Sequence, residues 1–305
     1  MLESSFQSDQ TNPSNYLGLN QPTVFATELR NQQHSKMTTQ QAFNPDNLPY
    51  LDPKKDRKVA LITGGNSGVG YFTTLHLYLH GYIVYVGGRN KERTTTAIEK
   101  IKNEADLRIK KWNSSTTGGE GDGLKVKPTV GELHYLPIDL VDLKSVDEAA
   151  KQFLSQETGQ LNLLIHNAGI MATPFNLTKD NFEEQIQTNC ISPLLLTDRL
   201  KKSMTPPNSS SSSPSSSTTP PRIVFLSSLA HTSILWHIKP EDKLQRTPDF
   251  FWRWIRYGQS KLVDIYLAKC LSKRYPQILS TAVHPGVITE TGLYKPTLNS
   301  VWILS

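Results

Sequence analysis

Residues 58–63, KVALIT, run directly into 64–70, GGNSGVG, and this junction constrains the fold more than any other feature. An apolar run of strand length that stops at glycines reads as a buried strand entering a tight turn. Residues 71–80 then place Phe72, Leu75, Leu77 and Leu79 at helical spacing before Gly81 stops them. Strand, glycine turn and helix in immediate succession form the first half of a βαβ unit, and such units build parallel sheets.

The alternation continues along the chain. Further strands are expected at 82–86, 134–138, 161–165, 222–226 and 278–283, and further helices at 92–111, 145–153, 182–200 and 257–275. Pro193 must kink or interrupt the helix that contains it, because proline has no N–H and its ring crowds the preceding turn. The expected fold class is α/β: one Rossmann-like domain over 49–305, doubly wound around a parallel sheet. Residues 113–131 and 205–221 (TPPNSSSSSPSSSTTPP) read as flexible inserts. Residues 1–48 are polar with scattered apolar positions, too few to offset the entropy of ordering, and read as a disordered tail. A targeting arm is the alternative, and Met37 offers a later start.

The overall share of hydrophobic residues, 37 %, agrees with partial disorder. Subtracting 27 acidic from 33 basic residues leaves +6, dispersed, which does not imply a nucleic-acid partner. No apolar run approaches the roughly 18 residues that span a bilayer, and the first thirty residues lack a signal-peptide core. An intracellular, mostly soluble chain is therefore expected. Cys190 and Cys270 make neither a disulfide framework nor a zinc site, and His231 and His237 lack ligand spacing. No metal is expected.

Glycines in a strand-to-helix turn let the backbone approach a pyrophosphate, whose charge the N–H groups of a helix start favour. Gly64, Ser67, Gly68, Val69 and Gly70 are the candidates for that contact; a tight connection with no ligand is the alternative. Where a site for NAD usually has an acidic residue, the second strand ends in Gly87-Gly88-Arg89-Asn90. Arg89 can pair with a 2′-phosphate, which favours NADP(H), or it is a solvated surface charge. Asp139 can accept from the adenine amino group or cap the next helix.

Four more features fall in order: HNAG at 166–169, Asn189, Ser227-Ser228, and Tyr257-Gly258-Gln259-Ser260-Lys261. Tyr257 and Lys261 lie one helical turn apart, on one face, and an ammonium near a phenol favours phenolate. With the glycine loop these motifs resemble the short-chain dehydrogenase/reductase superfamily over about residues 48–293. The resemblance implies Tyr257 as proton donor or base, with Lys261 lowering its pKa and holding the nicotinamide ribose. It further implies Ser228, with Ser227 as fallback, polarising the substrate oxygen, Asn189 keeping a relay water in place, and Asn167 at the cofactor. After the sixth strand, HPGVIT at 284–289 would wrap the nicotinamide, with Val287 near the carboxamide and Thr289 at the far edge. A packed aromatic beside a solvated charge is the alternative for Tyr257 and Lys261.

NLPYLDP, TGGNSGVG, LHLYLHGYIVYVGGRN, HNAGIMATP, SSLAH and RYGQSKL are similar to the retinol-dehydrogenase-like branch, and within it to a fungal oxidoreductase group of lipid droplets. That resemblance implies an apolar carbonyl or alcohol substrate and a lipid-droplet or membrane surface; a homodimer is left open. Ser228 and Tyr257 stand 29 positions apart, and the stretch between them includes Trp236, Phe250, Phe251, Trp252 and Trp254. These aromatics line a substrate mouth, touch lipid, or pack a lid onto the core. Two departures stand out. His166 replaces the usual asparagine, with a small effect expected. The chain also stops near the substrate-covering segment, so a C-terminally truncated sheet without its last strand or anchor is expected. A non-catalytic NADP(H) sensor and an inactive truncated remnant are the competing readings.

Overall fold

The structure, a computed structural model, describes residues 45, 48–115, 129–205, 219–233 and 249–286. The chain divides into two units, Met1–Asn47 and Leu48–Ser305, and the sheet with its helices belongs to the second. The element order is β1 Val59–Thr63, α1 Gly68–Leu79, β2 Ile83–Gly88, α2 Lys91–Ser115, β3 Glu132–Pro137, α3 Leu143–Gln156 and β4 Leu161–His166. There follow a single turn α4 (Glu184–Ile186), a π-helical turn (Gln187–Ile191), α5 Ser192–Met204, β5 Arg222–Leu226, a 3₁₀ turn (Leu229–Ser233), α6 Asp249–Arg274 and β6 Leu279–Val283.

Among the described residues all strand pairings are parallel, and six strands lie in the order β3-β2-β1-β4-β5-β6. Helices cover both faces, so the central strands are buried on both sides; β1 and β2 are buried throughout. Val59, Leu61, Ile83 and Tyr85 point to one face, where Val146, Phe153, Leu196, Leu200, Ala268 and Leu271 from α3, α5 and α6 pack on them. The intervening Ala60, Ile62, Val84 and Val86 point to the other face, with Leu77 of α1 and Ile98 of α2. The strand order reverses between β1 and β4, and a crevice at the carboxyl ends of the strands is where such sheets take ligands.

The expected architecture is what the structure shows, with several boundaries corrected. The helix expected at 257–275 starts at Asp249, so Phe250, Phe251, Trp252 and Trp254 stand on its first turns rather than in a separate insert. The loop expected from 113 yields its first residues to α2, which runs to Ser115, and β3 starts at Glu132. Phe72, expected on the packed stripe of α1, is exposed, while Leu75 and Leu79 are buried. The polar tail before residue 45, the insert residues 116–128 and 206–218, Trp236, His237, Val287 and Thr289 lie outside the described residues.

Pro193 does interrupt its helix, through a change of register. It has no N–H for the carbonyl of Asn189, and the turn immediately before it widens to π geometry, with the Ser192 N–H reaching back to Gln187.

Candidate active site

The glycine turn and the end of β4 are stapled together. Asn167 Nδ2 donates to the Thr63 and Gly64 carbonyls at 2.9 and 3.0 Å, and the Ala168 N–H donates to Thr63 Oγ1. Gly64 has φ +66° and Gly68 φ +54°, both left-handed, where a side chain is strained. A Cβ on Gly70 would collide with the Gly64 carbonyl oxygen and Asn167 Nδ2. The turn therefore sits directly against β4, at the reversal of the sheet. Ser67 precedes α1 with extended backbone and no side-chain capping bond, and no acidic residue stands in the first turn. The first N–H groups of that helix lack the usual side-chain acceptor, which suits an external anion.

Arg89 is the first residue after β2 and is exposed. Asn90 beside it, also exposed, caps the start of α2, accepting from the Arg93 N–H at 2.8 Å. The capping alternative for Asp139 is corrected. Asp142 caps α3 by accepting from the Lys144 N–H, while Asp139 only bends the chain, accepting from the Val141 N–H at 3.2 Å. Its carboxylate is half-buried at the end of β3.

Tyr257 and Lys261 share a face of α6, with Lys261 Nζ 5.9 Å from the centre of the Tyr257 ring. Tyr257 packs on Met171 and Ala172 from the segment after β4 and on Ala230 from the 3₁₀ turn after β5. Ala172 has φ +50°, an unusual conformation for alanine, and its N–H donates to Gln185 Oε1 at 2.8 Å. Lys261 Nζ donates to the Leu226 carbonyl at 2.7 Å and to Asp264 Oδ2 at 3.0 Å. Burial, the largest single influence, pulls this ammonium down, but the charge and hydrogen bond of Asp264 together with Tyr257 and Cys190 outweigh it and leave the pKa above the ordinary lysine value.

The two serines after β5 separate cleanly. Ser227 is buried and donates through Oγ to the Lys261 carbonyl at 2.7 Å, which fastens β5 to α6. Ser228 is half-buried; its Oγ accepts from the Ala230 N–H at 3.3 Å and keeps its own proton to give. Asn189 clamps the segment after β4. Its Oδ1 accepts from the Ile170 N–H, and its Nδ2 donates to the Ile170 carbonyl and to Ser260 Oγ, at 2.8–3.0 Å. Gly169 fits between them: a Cβ there would stand 3.1 Å from Asn189 Oδ1 and 3.6 Å from Lys261 Nζ.

The structure thus brings Asn167, Asn189, Tyr257 and Lys261 to the segment after β4, with the 3₁₀ turn of β5 against Tyr257. Sequence reasoning missed Asp264, Ala172 and Gln185. Asp264 carried a signal: it is the one charged residue in LVDIYLA, three positions after Lys261. The other two had none, because nothing local marks an alanine for left-handed backbone.

Comparison with known proteins bears on the family and the fold. The family model for short chain dehydrogenases matches residues 122–233. The chain is 35 % identical to an uncharacterized oxidoreductase of Schizosaccharomyces pombe over 80 % of its own length and 65 % of the relative's, so it spans less than two thirds of that protein. It is 36 % identical to the short-chain dehydrogenase/reductase drtF of Aspergillus calidoustus, over 82 % and 73 % of the two chains. With mouse retinol dehydrogenase 11 the identity is 31 %, over 81 % and 67 %. Among solved structures, the NADP complex of RhlG from Pseudomonas aeruginosa superposes with a TM-score of 0.55 at 18 % identity, covering 83 % of this chain and 80 % of the other. A short-chain dehydrogenase of Sphingobium yanoikuyae in complex with NADPH gives 0.52 at 19 %, covering 78 % and 73 %.

Proposed function

The chain belongs to the short-chain dehydrogenase/reductase family, and from that premise we propose that it is an NADP(H)-dependent oxidoreductase of apolar carbonyls and alcohols. The observation that carries this reading is the Tyr257–Lys261 pair on one face of α6, with Lys261 held by the Leu226 carbonyl at the end of β5 and by Asp264. A small-molecule substrate follows from it. Among the described residues no helix is long and apolar enough to cross a membrane.

The residues present fit a dinucleotide. Gly70 has no room for a side chain, and the uncapped start of α1 offers N–H groups to a pyrophosphate. Gly64, Ser67, Gly68, Val69 and Gly70 would hold that group, Asp139 the adenine, and Asn167 the turn itself. Exposed Arg89 would take the 2′-phosphate, and the solved relatives with NADP and NADPH support that preference. When bound, the nicotinamide supplies or takes the hydride.

Tyr257 Oη gives the proton to a carbonyl oxygen in reduction and takes it from an alcohol in oxidation. Lys261 orients the ribose. Ser228 donates its hydroxyl proton to the same substrate oxygen, while Ser227 is occupied by its bond to α6. Asn189 holds the segment facing Tyr257 and, as the resemblance implies, the relay that replenishes its proton. Met171, Ala172 and Ala230 make the wall around Tyr257 apolar, which suits an apolar substrate, as does the likeness to a retinol dehydrogenase. Phe250, Phe251 and Trp254 are exposed at the start of α6, and they support contact with a lipid-droplet or membrane surface through aromatic side chains.

A fluorescence titration of the 305-residue chain with NADPH and NADH tests this reading. Saturable binding that prefers NADPH is expected, and Arg89→Asp should reduce that preference at least about tenfold through loss of a charge-assisted pair. Binding of neither nucleotide would overturn the proposal, and an unchanged preference would remove the role of Arg89.

A further inference from the structure

Asp264 has no part in the proton transfer as described, yet its carboxylate is among the most enclosed charges of the fold. The Lys261 and Asp264 side chains are 8 % and 2 % exposed and stand 3.0 Å apart. Asp264 Oδ1 makes no hydrogen bond among the described residues, so Lys261 is the one described side chain that meets this carboxylate's need for a donor. Burying a lone ammonium disfavours its charge, and an opposite charge in contact restores it.

We propose that Asp264 is a positioning residue for the Tyr257–Lys261 pair, the buried counter-ion that keeps the Lys261 ammonium charged and aimed. Two of the three Nζ protons are committed, one to Leu226 on β5 and one to Asp264 on α6. That leaves one to face the reacting groups and makes its direction a consequence of the other two. Asp264 acts on Tyr257 only through Lys261.

The surroundings leave this pairing unopposed. From the π-helical turn, the Cys190 thiol faces the pair; burial pushes its pKa well up, so it stays neutral. On α6, Tyr257 is the other titratable neighbour of Lys261. Arg256, the nearest other cation of α6 in sequence, is committed to Glu183 and Asp249. The Asp264 carboxyl is itself pushed up to about 6 by burial, against the pull of Lys261. Above that pH it is an anion.

This inference deepens the proposed reaction and rests on it for its catalytic meaning, but its test needs no substrate. Lysine 13Cε resonances of the full labelled chain are followed against pH, with Lys261 identified by its absence in Lys261→Arg. In the wild type Lys261 should titrate above 10.5. Asp264→Asn keeps shape and a hydrogen-bond acceptor but removes the charge, and the midpoint should fall by about one unit or more. Asp264→Glu should bring it back. Equal midpoints in the wild type and Asp264→Asn would overturn the proposal. So would a wild-type midpoint below 10.5, which decides the matter even if the variant does not fold. With NADPH and decanal as probe, the alkaline fall of kcat/KM in Asp264→Asn should come at least about one unit earlier. A wild type that binds neither nucleotide sinks the oxidoreductase reading instead, and leaves the Lys261 titration to be judged by itself.

Discussion

His166 shows how one substitution within a motif is absorbed by packing. Its ring stacks on Phe225 with centroids 4.7 Å apart, and Nε2 meets Thr197 Oγ1 at 2.8 Å. Burial lowers its pKa to about 3, so the folded protein keeps this histidine neutral. The unfolded chain takes up the proton near pH 6.5, so the stability it contributes is present above 6.5 and is lost as pH falls toward 3. Between pH 7 and pH 5 this amounts to about 2 kcal/mol. Urea denaturation at the two pH values should show a stability loss smaller by that amount in His166→Asn. The same drop in both proteins would mean that the buried ring accepts a proton. At this scale the sequence was readable in the spacing of Tyr257 and Lys261, which puts them on one face of α6. Between Ser227 and Ser228 it offered only the order of preference that the family resemblance implies. The bond from Ser227 to the Lys261 carbonyl, across 34 positions, supplies a physical difference between them.

Elements followed the local pattern closely, and their ends did not. β1, β5 and the glycine turn fall where the apolar runs and glycines place them, and β1, buried on both faces, announces itself as a continuous apolar run. The start of α6 was missed by eight positions because its first turns are held by partners remote in sequence. Gln185 Nε2 donates to the Arg253 carbonyl, and Asp249 Oδ2 accepts from the Phe175 N–H. The π-helical turn illustrates the middle case: proline at 193 announces a break, but not that the register widens around Asn189. The glycine turn is the element whose function depends most on close approach. Gly70→Ala would press a methyl group into the Gly64 carbonyl and Asn167. Overpacking of this kind costs about 1–3 kcal/mol. We expect the variant to keep its circular dichroism and to bind NADPH at least about tenfold more weakly. Undiminished binding would show that the turn yields without affecting the nucleotide.

The molecule as a whole is held around the site by charges as well as by its core. Arg256 is completely buried; Nε stands 3.2 Å from Glu183 and an Nη 2.7 Å from Asp249, and the guanidinium lies over the Phe175 ring. Burial pushes the Glu183 carboxyl up, against the pull of Arg256. Removing the guanidinium strands a buried carboxylate, and such losses cost about 3–5 kcal/mol. Thermal denaturation should therefore show Arg256→Ala markedly less stable, and more so at pH 8 than at pH 5, where Glu183 can take a proton. A change within about 0.5 kcal/mol would mean that the network is dispensable. By itself the sequence determined the alternation of strands and helices, the parallel doubly wound sheet and the motif residues along it. These depend on apolar period, glycine and proline chemistry and side-chain type, all local properties. The tertiary structure alone decided that Asp264 pairs with Lys261 in isolation from water, that Ser227 is spent on α6, and that Arg256 anchors the start of that helix. Each depends on which groups meet out of solvent, and burial, which turns a modest charge interaction into a dominant one, belongs to the assembled fold.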